Sequence, residues 1–154
     1  MPIPVLLVAE DSDIDALLLA RLIERSGYIF KMMWVEHGEA AIDYLAGNGD
    51  YADREKYPVA DLLLLDLKMP LKDGFAVLQW RQDHPGFRRM PAIVFSSSYL
   101  PEDVERAYAL GASSYVVKPG DPERLERFVR ALHAWWTEFN VADTGLHHDG
   151  PDQA

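Results

Sequence analysis

Residues 62–66, LLLLD, decide the fold of this chain, because four consecutive leucines end in a single carboxylate. A short run that is apolar throughout is typical of a strand buried on both faces of a parallel sheet. Residues 5–9, VLLVA, have the same character and are followed by Glu10 and Asp11. The sequence therefore predicts at least two buried strands that each bring acid to an edge of the sheet.

The rest of the chain alternates between short apolar runs and segments with helical periodicity. Further strands are predicted at 31–35, 92–95 and 114–117, and the LLLLD strand is expected to begin at Asp61. Helices are predicted at about 12–26, 39–46, 74–83, 101–110 and 122–139. The apolar stripe of the first helix is expected at Ile14, Leu17, Leu18, Leu22 and Ile23. Five strands alternating with five helices predict a doubly wound α/β fold, with helices on both faces of a five-stranded parallel sheet.

Composition restricts the class of protein. The 154 residues, 49% of them hydrophobic and 26% charged, suit one globular domain. The chain has no cysteine for a disulfide or a thiolate zinc site, and no apolar stretch reaches the roughly 20 residues that cross a bilayer. A net charge of −10 repels nucleic-acid phosphates. We therefore expect a cytoplasmic protein that contacts neither nucleic acid nor membrane.

Two segments stand outside the alternating pattern. Residues 47–60 include the run GNGD and Pro58 and exceed the usual length of a helix-to-strand connection, so they are predicted to form an inserted loop. Residues 141–154 are rich in Gly, Asp and Pro and are predicted to be disordered. The expected organisation is one folded domain, residues 1–140, followed by a short tail.

The acids at the strand ends predict a site for a divalent cation. Ligands of doubly wound sheets bind at the carboxyl ends of the strands, so Glu10, Asp11 and Asp66 converge if their strands are neighbours. Two carboxylates about 4 Å apart repel by roughly 4 kcal/mol at an effective dielectric constant of 20. An all-oxygen site with few protein ligands suits Mg²⁺, which readily takes a phosphate oxygen as a further ligand.

Other strand ends supply groups suited to phosphoryl transfer. Asp66 is a carboxylate nucleophile that could carry an acyl phosphate. Lys118 follows the fifth strand and would place a positive charge beside the phosphoryl oxygens. Ser96 follows the fourth strand and could donate a hydrogen bond to one of them. Phosphoryl transfer requires mainly positioning and charge neutralisation, and these residues supply both.

The sequence resembles the receiver domains of two-component response regulators over about residues 5–139. The resemblance implies the strand order 2-1-3-4-5 of the flavodoxin-like receiver fold. It also implies that Asp66 accepts a phosphoryl group from the phosphohistidine of a histidine kinase. The matching features are Glu10-Asp11, Asp66-x-x-Met69-Pro70-x-x-x-Gly74, Ser96, the run Gly111-Ala112-Ser113-Ser114-Tyr115, and Lys118-Pro119.

The resemblance assigns further roles residue by residue. Asp11, Asp66 and the backbone carbonyl of Lys68 would bind Mg²⁺, with Glu10 acting directly or through water. Ser96 and Tyr115 would form the switch pair, in which the tyrosine turns inward when the serine is drawn to the phosphate. The domain would be no enzyme beyond its own phosphorylation and slow dephosphorylation.

The inserted loop and the end of the fifth helix resemble a narrower group, the stand-alone receivers paired with phytochrome-type histidine kinases. Trp135, Trp136 and Phe139 lie at the predicted end of that helix. Adjacent tryptophans lie about 100° apart on a helix, so one of them is expected to be exposed. We therefore expect a homodimer through the region of the fifth helix, with signalling by partner binding or phosphorelay.

Three alternatives remain open on the sequence. An aspartyl phosphatase or dehalogenase would be expected to carry a second Asp where this chain has Lys68. A flavin carrier would need a glycine- and hydroxyl-rich phosphate loop where this chain has residues 10–13, EDSD. A receiver-like scaffold would bind partners without phosphorylation, and phosphorylation of Asp66 distinguishes it from the signalling module.

Overall fold

The computed structural model describes residues 3–27 and 30–141; apart from position 141, the tail predicted to be disordered lies outside these residues. Within them the strands are β1 (Val5–Ala9), β2 (Lys31–Val35), β3 (Leu62–Leu65), β4 (Ala92–Ser96) and β5 (Ser114–Val117). The α-helices are α1 (Asp13–Arg25), α2 (Gly38–Ala46), α3 (Gly74–Asp83), α4 (Pro101–Ala109) and α5 (Pro122–Ala134). Two short 3₁₀ helices, Gly49–Ala52 and Pro85–Phe87, and a π turn, Trp135–Phe139, complete the regular structure.

The strands form one parallel sheet in the order β2-β1-β3-β4-β5, which confirms the predicted fold. Helices α1 and α5 pack on one face, where Leu19 of α1 and Val129 of α5 join the apolar core. Helices α2, α3 and α4 cover the other face. All residues of β1 and β3 are buried, as expected for central strands covered on both sides.

Local capping explains where most helices begin. Ser12 Oγ accepts the N–H of Asp15 and caps α1, and Asp73 and Asp121 cap α3 and α5 in the same manner. His37 caps α2, because its Nδ1 accepts the N–H of Ala40 at 3.0 Å. These caps fix the first turns of the helices that surround the carboxyl ends of the strands.

The exposed face of α1 differs from the prediction. Ile14 and Leu17 are 77% and 56% exposed, whereas Ala16, Leu19 and Ile23 are buried. The helix carries two overlapping apolar stripes with similar spacing, and the sheet covers the one that contains the small Ala16. Two apolar side chains of α1 therefore remain on the surface.

The end of α5 also differs from a plain continuation to Phe139. The α-helix ends at Ala134 and the chain continues as one π turn over Trp135–Phe139. Trp136 packs against the α1/α5 core, while Trp135 is 37% and Phe139 74% exposed. One of the two adjacent tryptophans is therefore exposed, as the helical geometry predicts.

The inserted loop has its own packing. Tyr57 packs edge-to-face against Tyr51 and against Tyr44 of α2, and Tyr51 packs at a tilt against Tyr44, with ring centroids 4.9 to 6.1 Å apart. Arg54 donates to the carbonyls of Tyr44 and Leu45 at the end of α2, where the helix dipole favours a cation. The insertion is thus fastened to α2.

Among the described residues, no helix combines the length and the apolar character needed to cross a membrane.

Candidate functional site

Three carboxylates meet at the carboxyl ends of β1 and β3. These strands are neighbours and pair Ala9 with Leu65, so the next residues, Glu10 and Asp66, emerge side by side. Glu10, Asp11 and Asp66 each place an oxygen within 4.8 Å of the other two. Glu10 and Asp66 are buried and Asp11 is exposed, so the cluster is open to solvent on one side.

The ammonium of Lys118 lies among these acids. Its Nζ is 2.5 Å from Glu10 Oε2 and 3.0 Å from Asp66 Oδ2. Lys118 follows β5, and its backbone N–H donates to the carbonyl of Ser96 at 2.8 Å. A third carboxylate, that of Asp15 on α1, is 3.1 Å from the same Nζ.

Burial and neighbouring charges shift the pKa values of Glu10 and Lys118. Burial is the main reason why the pKa of Glu10 is raised to about 7; the hydrogen bond from Lys118 opposes the shift and the charge of Asp66 adds to it. Burial alone would lower the pKa of Lys118, but its hydrogen bonds to Glu10 and Asp66 and their charges raise it. Lys118 is therefore a fixed positive charge.

Backbone contacts fix the segment that carries Glu10 and Asp11. The N–H of Glu10 donates to the carbonyl of Val35 at 3.0 Å, which extends the ladder between β1 and β2. The indole N–H of Trp34 donates to the Glu10 carbonyl at 2.8 Å. The side chain of Glu10 also accepts the N–H of Ser12 at 3.1 Å. The peptide that precedes Asp11 is thus held by an aromatic side chain of the edge strand.

The turn after Asp66 is packed tightly against α3. Asp66 Oδ1 accepts the N–H of Lys68 at 3.3 Å, and the N–H of Gly74 donates to the carbonyl of Leu67 at 3.0 Å. A Cβ at Gly74 would lie 2.3 Å from the Asp66 carbonyl oxygen. Only glycine allows α3 to begin this close to the backbone of Asp66.

The same turn docks on α2 through a strained stretch of backbone. Leu71 and Lys72 have positive φ angles of 47° and 75°, a region that side chains disfavour. Their carbonyls accept the N–H groups of Glu39 at 2.7 Å and Gly38 at 3.1 Å. These bonds satisfy N–H groups in the first turn of α2 and hold the strained turn in place.

A hydrogen-bonded chain connects the ends of β4 and β5. Ser96, fully buried, accepts the N–H of Ser98 on its hydroxyl oxygen at 3.1 Å. The hydroxyl of Tyr115 donates to the carbonyl of Ser98 at 2.8 Å. The hydroxyl of Ser98 donates to Asp103 of α4 at 2.5 Å. Tyr115 packs partly buried against the core. Ser98 therefore joins the predicted switch residues Ser96 and Tyr115 to α4.

A cleft of about 400 Å³ adjoins the acids. Asp11 lies on one side, the turn after Asp66 supplies Lys68 and Met69, and α4 contributes Asp103. The cleft therefore opens the exposed side of the cluster, at Asp11, to solvent.

The structure brings together most of the residues that the sequence singled out. One site contains Glu10, Asp11, Asp66 and Lys118. The predicted interface residues Trp135, Trp136 and Phe139 lie in the π turn that follows α5, whereas Lys118 precedes the start of that helix at Pro122. Sequence reasoning missed two contributors, namely Asp15 and Trp34.

The donor set of the cluster fits magnesium. All its side-chain ligands are carboxylate oxygens, which Mg²⁺ prefers. Two oxygens bound to one Mg²⁺ lie at most about 4 Å apart, so small side-chain adjustments would bring the three acids around an ion. Asp11, on the exposed side, leaves room for the waters that Mg²⁺ retains.

The chain is similar to known response regulators in both sequence and fold. Response regulator Rcp1 of Synechocystis sp. is 31% identical over 137 residues, which cover 89% of this chain and 91% of Rcp1. A crystal structure of its Mn²⁺-bound form matches with a TM-score of 0.80 at 30% identity, covering 91% of this chain and 99% of the other.

Two further crystal structures match with a TM-score of 0.85. RPA3017, a response regulator in red light signalling of R. palustris, is 32% identical, and the match covers 92% of this chain and 99% of the other. The phosphorylated cyanobacterial phytochrome response regulator RcpA is 27% identical, with 93% and 100% covered. The model of the response regulator receiver domain matches residues 6–130. The chain therefore belongs to the response regulator receiver domain family, and it is similar to the stand-alone response regulators of phytochromes.

Proposed function

We propose that this protein is a single-domain response regulator that accepts a phosphoryl group on Asp66 from a histidine kinase in a Mg²⁺-dependent reaction. One observation carries the proposal. The buried Asp66 carboxylate lies 3.0 Å from the Lys118 ammonium and beside the carboxylates of Glu10 and Asp11. This arrangement offers a nucleophile, a fixed positive charge and a set of metal ligands in one cluster.

In the proposed reaction an Asp66 oxygen attacks the phosphorus of a phosphohistidine. A P–O bond forms, the P–N bond breaks, and the imidazole leaves with the electron pair and takes up a proton. Glu10, Asp11, Asp66 and the carbonyl of Lys68 would hold the magnesium ion, which supplies positive charge to the transferred oxygens. Lys118 would contact another of these oxygens.

The hydroxyl of Ser96 is the proposed reporter of phosphorylation. Ser96 Oγ now accepts from Ser98 and can donate its own proton to a phosphoryl oxygen. Movement of Ser96 would pull on Ser98, whose carbonyl holds Tyr115 and whose hydroxyl holds Asp103. The result would be a two-state change of the β4–α4 segment and of Tyr115, biased by local charge.

The proposed upstream partner is a phytochrome-type histidine kinase. The support is the similarity to RPA3017, a regulator in red light signalling, and to the phytochrome response regulator RcpA. Downstream, we propose signalling by partner binding or phosphorelay in the cytoplasm, without contact to nucleic acid. The folded unit would comprise residues 1–140, and the remainder would form a tail.

A second copy of the chain is the proposed partner of the α5 end. Phe139 is 74% and Val141 93% exposed, and both follow Trp135 at the end of the helix. Exposed aromatic side chains in a group are typical of interfaces between proteins. The homodimer would bury Trp135 and Phe139, with Trp136 supporting them from the core.

Incubation with phosphoramidate, a small donor with a P–N bond, and Mg²⁺ tests the proposal. Mass spectrometry should show one added phosphoryl group, absent in Asp66→Asn and after chelation of the metal. Asp50→Asn, in the exposed inserted loop, is the matched control and should be phosphorylated normally. Intact protein that gains no phosphoryl group from either phosphoramidate or a panel of histidine kinases would favour the unphosphorylated scaffold.

A further inference from the structure

Asp15 takes part in the site although its sequence context gives it another role. Ser12 and Asp15 have the spacing of a capping box, in which the acid reaches back to the N–H of the capping residue. Here the N–H of Ser12 donates to Glu10 Oε1 instead. The carboxylate of Asp15 is therefore available and binds the ammonium of Lys118 at 3.1 Å.

The contacts of Lys118 leave its ammonium with no spare donor. An ammonium carries three N–H groups, and Nζ lies 2.5 Å from Glu10, 3.0 Å from Asp66 and 3.1 Å from Asp15. A phosphoryl group on Asp66 would add oxygens that carry close to two negative charges. Lys118 can contact such an oxygen only if one of its present acceptors withdraws.

Exposure decides which acceptor withdraws. The side chain of Glu10 is 5% exposed and also holds the N–H of Ser12, and that of Asp66 is 8% exposed. The side chain of Asp15 is 47% exposed, so water can replace Lys118 around it at small cost in free energy. Asp15 is also outside the cluster of acids that could hold a metal.

We propose that Asp15 is a positioning residue that competes with the incoming phosphoryl group for Lys118 and releases the ammonium when Asp66 is phosphorylated. The inference rests on the proposed function and deepens it, because it names a residue that sets how readily the site accepts a phosphoryl group. Asp15 forms no bond to phosphorus and gains or loses no proton in this step. It exchanges the ammonium of Lys118 for water.

The test is the pair Asp15→Ala and Asp13→Ala. Both changes remove one carboxylate from the first turn of α1, so both change the net charge equally and remove a negative charge near the positive end of the helix dipole. Of these two carboxylates, only that of Asp15 contacts Lys118. We expect Asp15→Ala to bind the phosphoryl mimic beryllofluoride, with Mg²⁺ present, about two to five times more tightly than Asp13→Ala, the range expected for an exposed ion pair. Phosphorylation by phosphoramidate should accelerate by a similar factor.

A double-mutant cycle with Lys118→Ala separates this competition from a general effect of charge. The advantage of Asp15→Ala in beryllofluoride affinity should disappear when Lys118 is absent. Equal or weaker affinity in Asp15→Ala relative to Asp13→Ala, or an advantage that persists without Lys118, would overturn the inference. If instead the unaltered protein bound no beryllofluoride and gained no phosphoryl group, the proposed function itself would fail.

Discussion

The Tyr115 hydroxyl donates a hydrogen bond to the backbone carbonyl of Ser98, 2.8 Å away. Because the N–H of Ser98 donates to Ser96, one residue connects the aromatic side chain of β5 to the hydroxyl at the end of β4. Tyr115→Phe removes only the O–H group. We expect amide exchange of residues 97–100 to accelerate about fivefold, since such a bond stabilises by about 1 kcal/mol.

Hydrogen-exchange mass spectrometry measures this effect, with Tyr99→Phe as the control. Tyr99 is in the same segment and is 78% exposed, so loss of its hydroxyl should leave the exchange rates unchanged. If Tyr115→Phe also left them unchanged, Tyr115 would not hold the β4–α4 segment.

Trp34 should affect metal binding although it is no metal ligand. Trp34→Phe keeps an aromatic ring but removes the N–H that holds the Glu10 carbonyl. The peptide before Asp11 would then be less fixed, and we expect the Mn²⁺ affinity to weaken about three- to tenfold, the effect of one hydrogen bond. Titration calorimetry on folded protein measures this affinity.

Trp80→Phe is the matched control for Trp34. Trp80 stacks on His84 of the segment after α3, and loss of its indole should leave Mn²⁺ affinity unchanged. Equal affinities of the two variants would show that the contact of Trp34 with Glu10 plays no part in metal binding.

In metal-free buffer the stability of the fold should fall as the pH rises from about 4.5 to about 7. Burial raises the pKa of Glu10 from its ordinary 4.5 to about 7 in the folded protein. Between these values the folded state retains a proton that the unfolded state has released, so a rise in pH favours unfolding. Glu10→Gln cannot ionise, and its free energy of unfolding should depend less on pH in this range.

Urea titrations at about pH 5 and about pH 8, with chelator present, compare the two proteins. Under the proposed function Mg²⁺ binds only the folded state, so its addition at the higher pH should stabilise the unaltered protein. Parallel pH profiles for the unaltered protein and Glu10→Gln would contradict the raised pKa.

The exposed apolar pair on α1 should matter for transfer from a kinase. Ile14 and Leu17 flank Asp15, which contacts Lys118 of the site, so a protein that reaches Asp66 from this side would cover them. Leu17→Asp should slow phosphotransfer at least about tenfold, because burial of one leucine contributes roughly 1.5–3 kcal/mol. Phosphorylation by phosphoramidate should be unaffected.

Val59→Asp is the control for Leu17→Asp. Val59 is a 60% exposed residue of the inserted loop, and its change should spare both reactions. The kinase for this test is the one that phosphorylates the unaltered protein fastest in a panel. If Leu17→Asp and Val59→Asp slowed phosphotransfer equally, or if Leu17→Asp also slowed phosphorylation by phosphoramidate, the kinase would not dock on the exposed pair of α1.

Phe139→Glu should shift the protein from dimer to monomer. The side chain is 74% exposed, so the change should leave the fold intact while it places a charge in the proposed apolar interface. Sedimentation over a range of concentrations measures the dissociation constant, with Val59→Asp again as control. A monomeric unaltered protein, or an unchanged constant in Phe139→Glu, would argue against this interface.

The sequence predicts the sheet and the position of the acids because both follow from local patterns. LLLLD and VLLVA are apolar runs too short for typical helices, which indicates buried strands, and parallel strands bring their carboxyl ends to one edge. Glu10, Asp11 and Asp66 meet because β1 and β3 are also neighbours, an order that the resemblance to receiver domains implies. Lys118 follows β5, which is separated from β3 by β4, and its long side chain reaches the acids.

The remaining parts of the site depend on contacts between distant segments. Asp15 fits a capping box, and only the diversion of the Ser12 N–H to Glu10 turns it toward Lys118. Trp34 has the pattern of an ordinary edge-strand residue, and nothing local indicates its bond to Glu10. The predicted apolar stripe of α1 is wrong at Ile14 and Leu17, which are exposed, since periodicity alone does not tell which of two overlapping stripes meets the sheet.

Gly38 and Gly74 limit how this domain can be diversified. A Cβ at Gly38 would lie 2.1 Å from the Lys72 carbonyl oxygen, and one at Gly74 2.3 Å from that of Asp66. In a randomised library, side chains around the cleft could therefore change to suit other partners, whereas even alanine at either glycine would push apart the helix starts that frame the aspartate. New specificity in such a scaffold has to come from the side chains around the cleft, with Gly38 and Gly74 left unchanged.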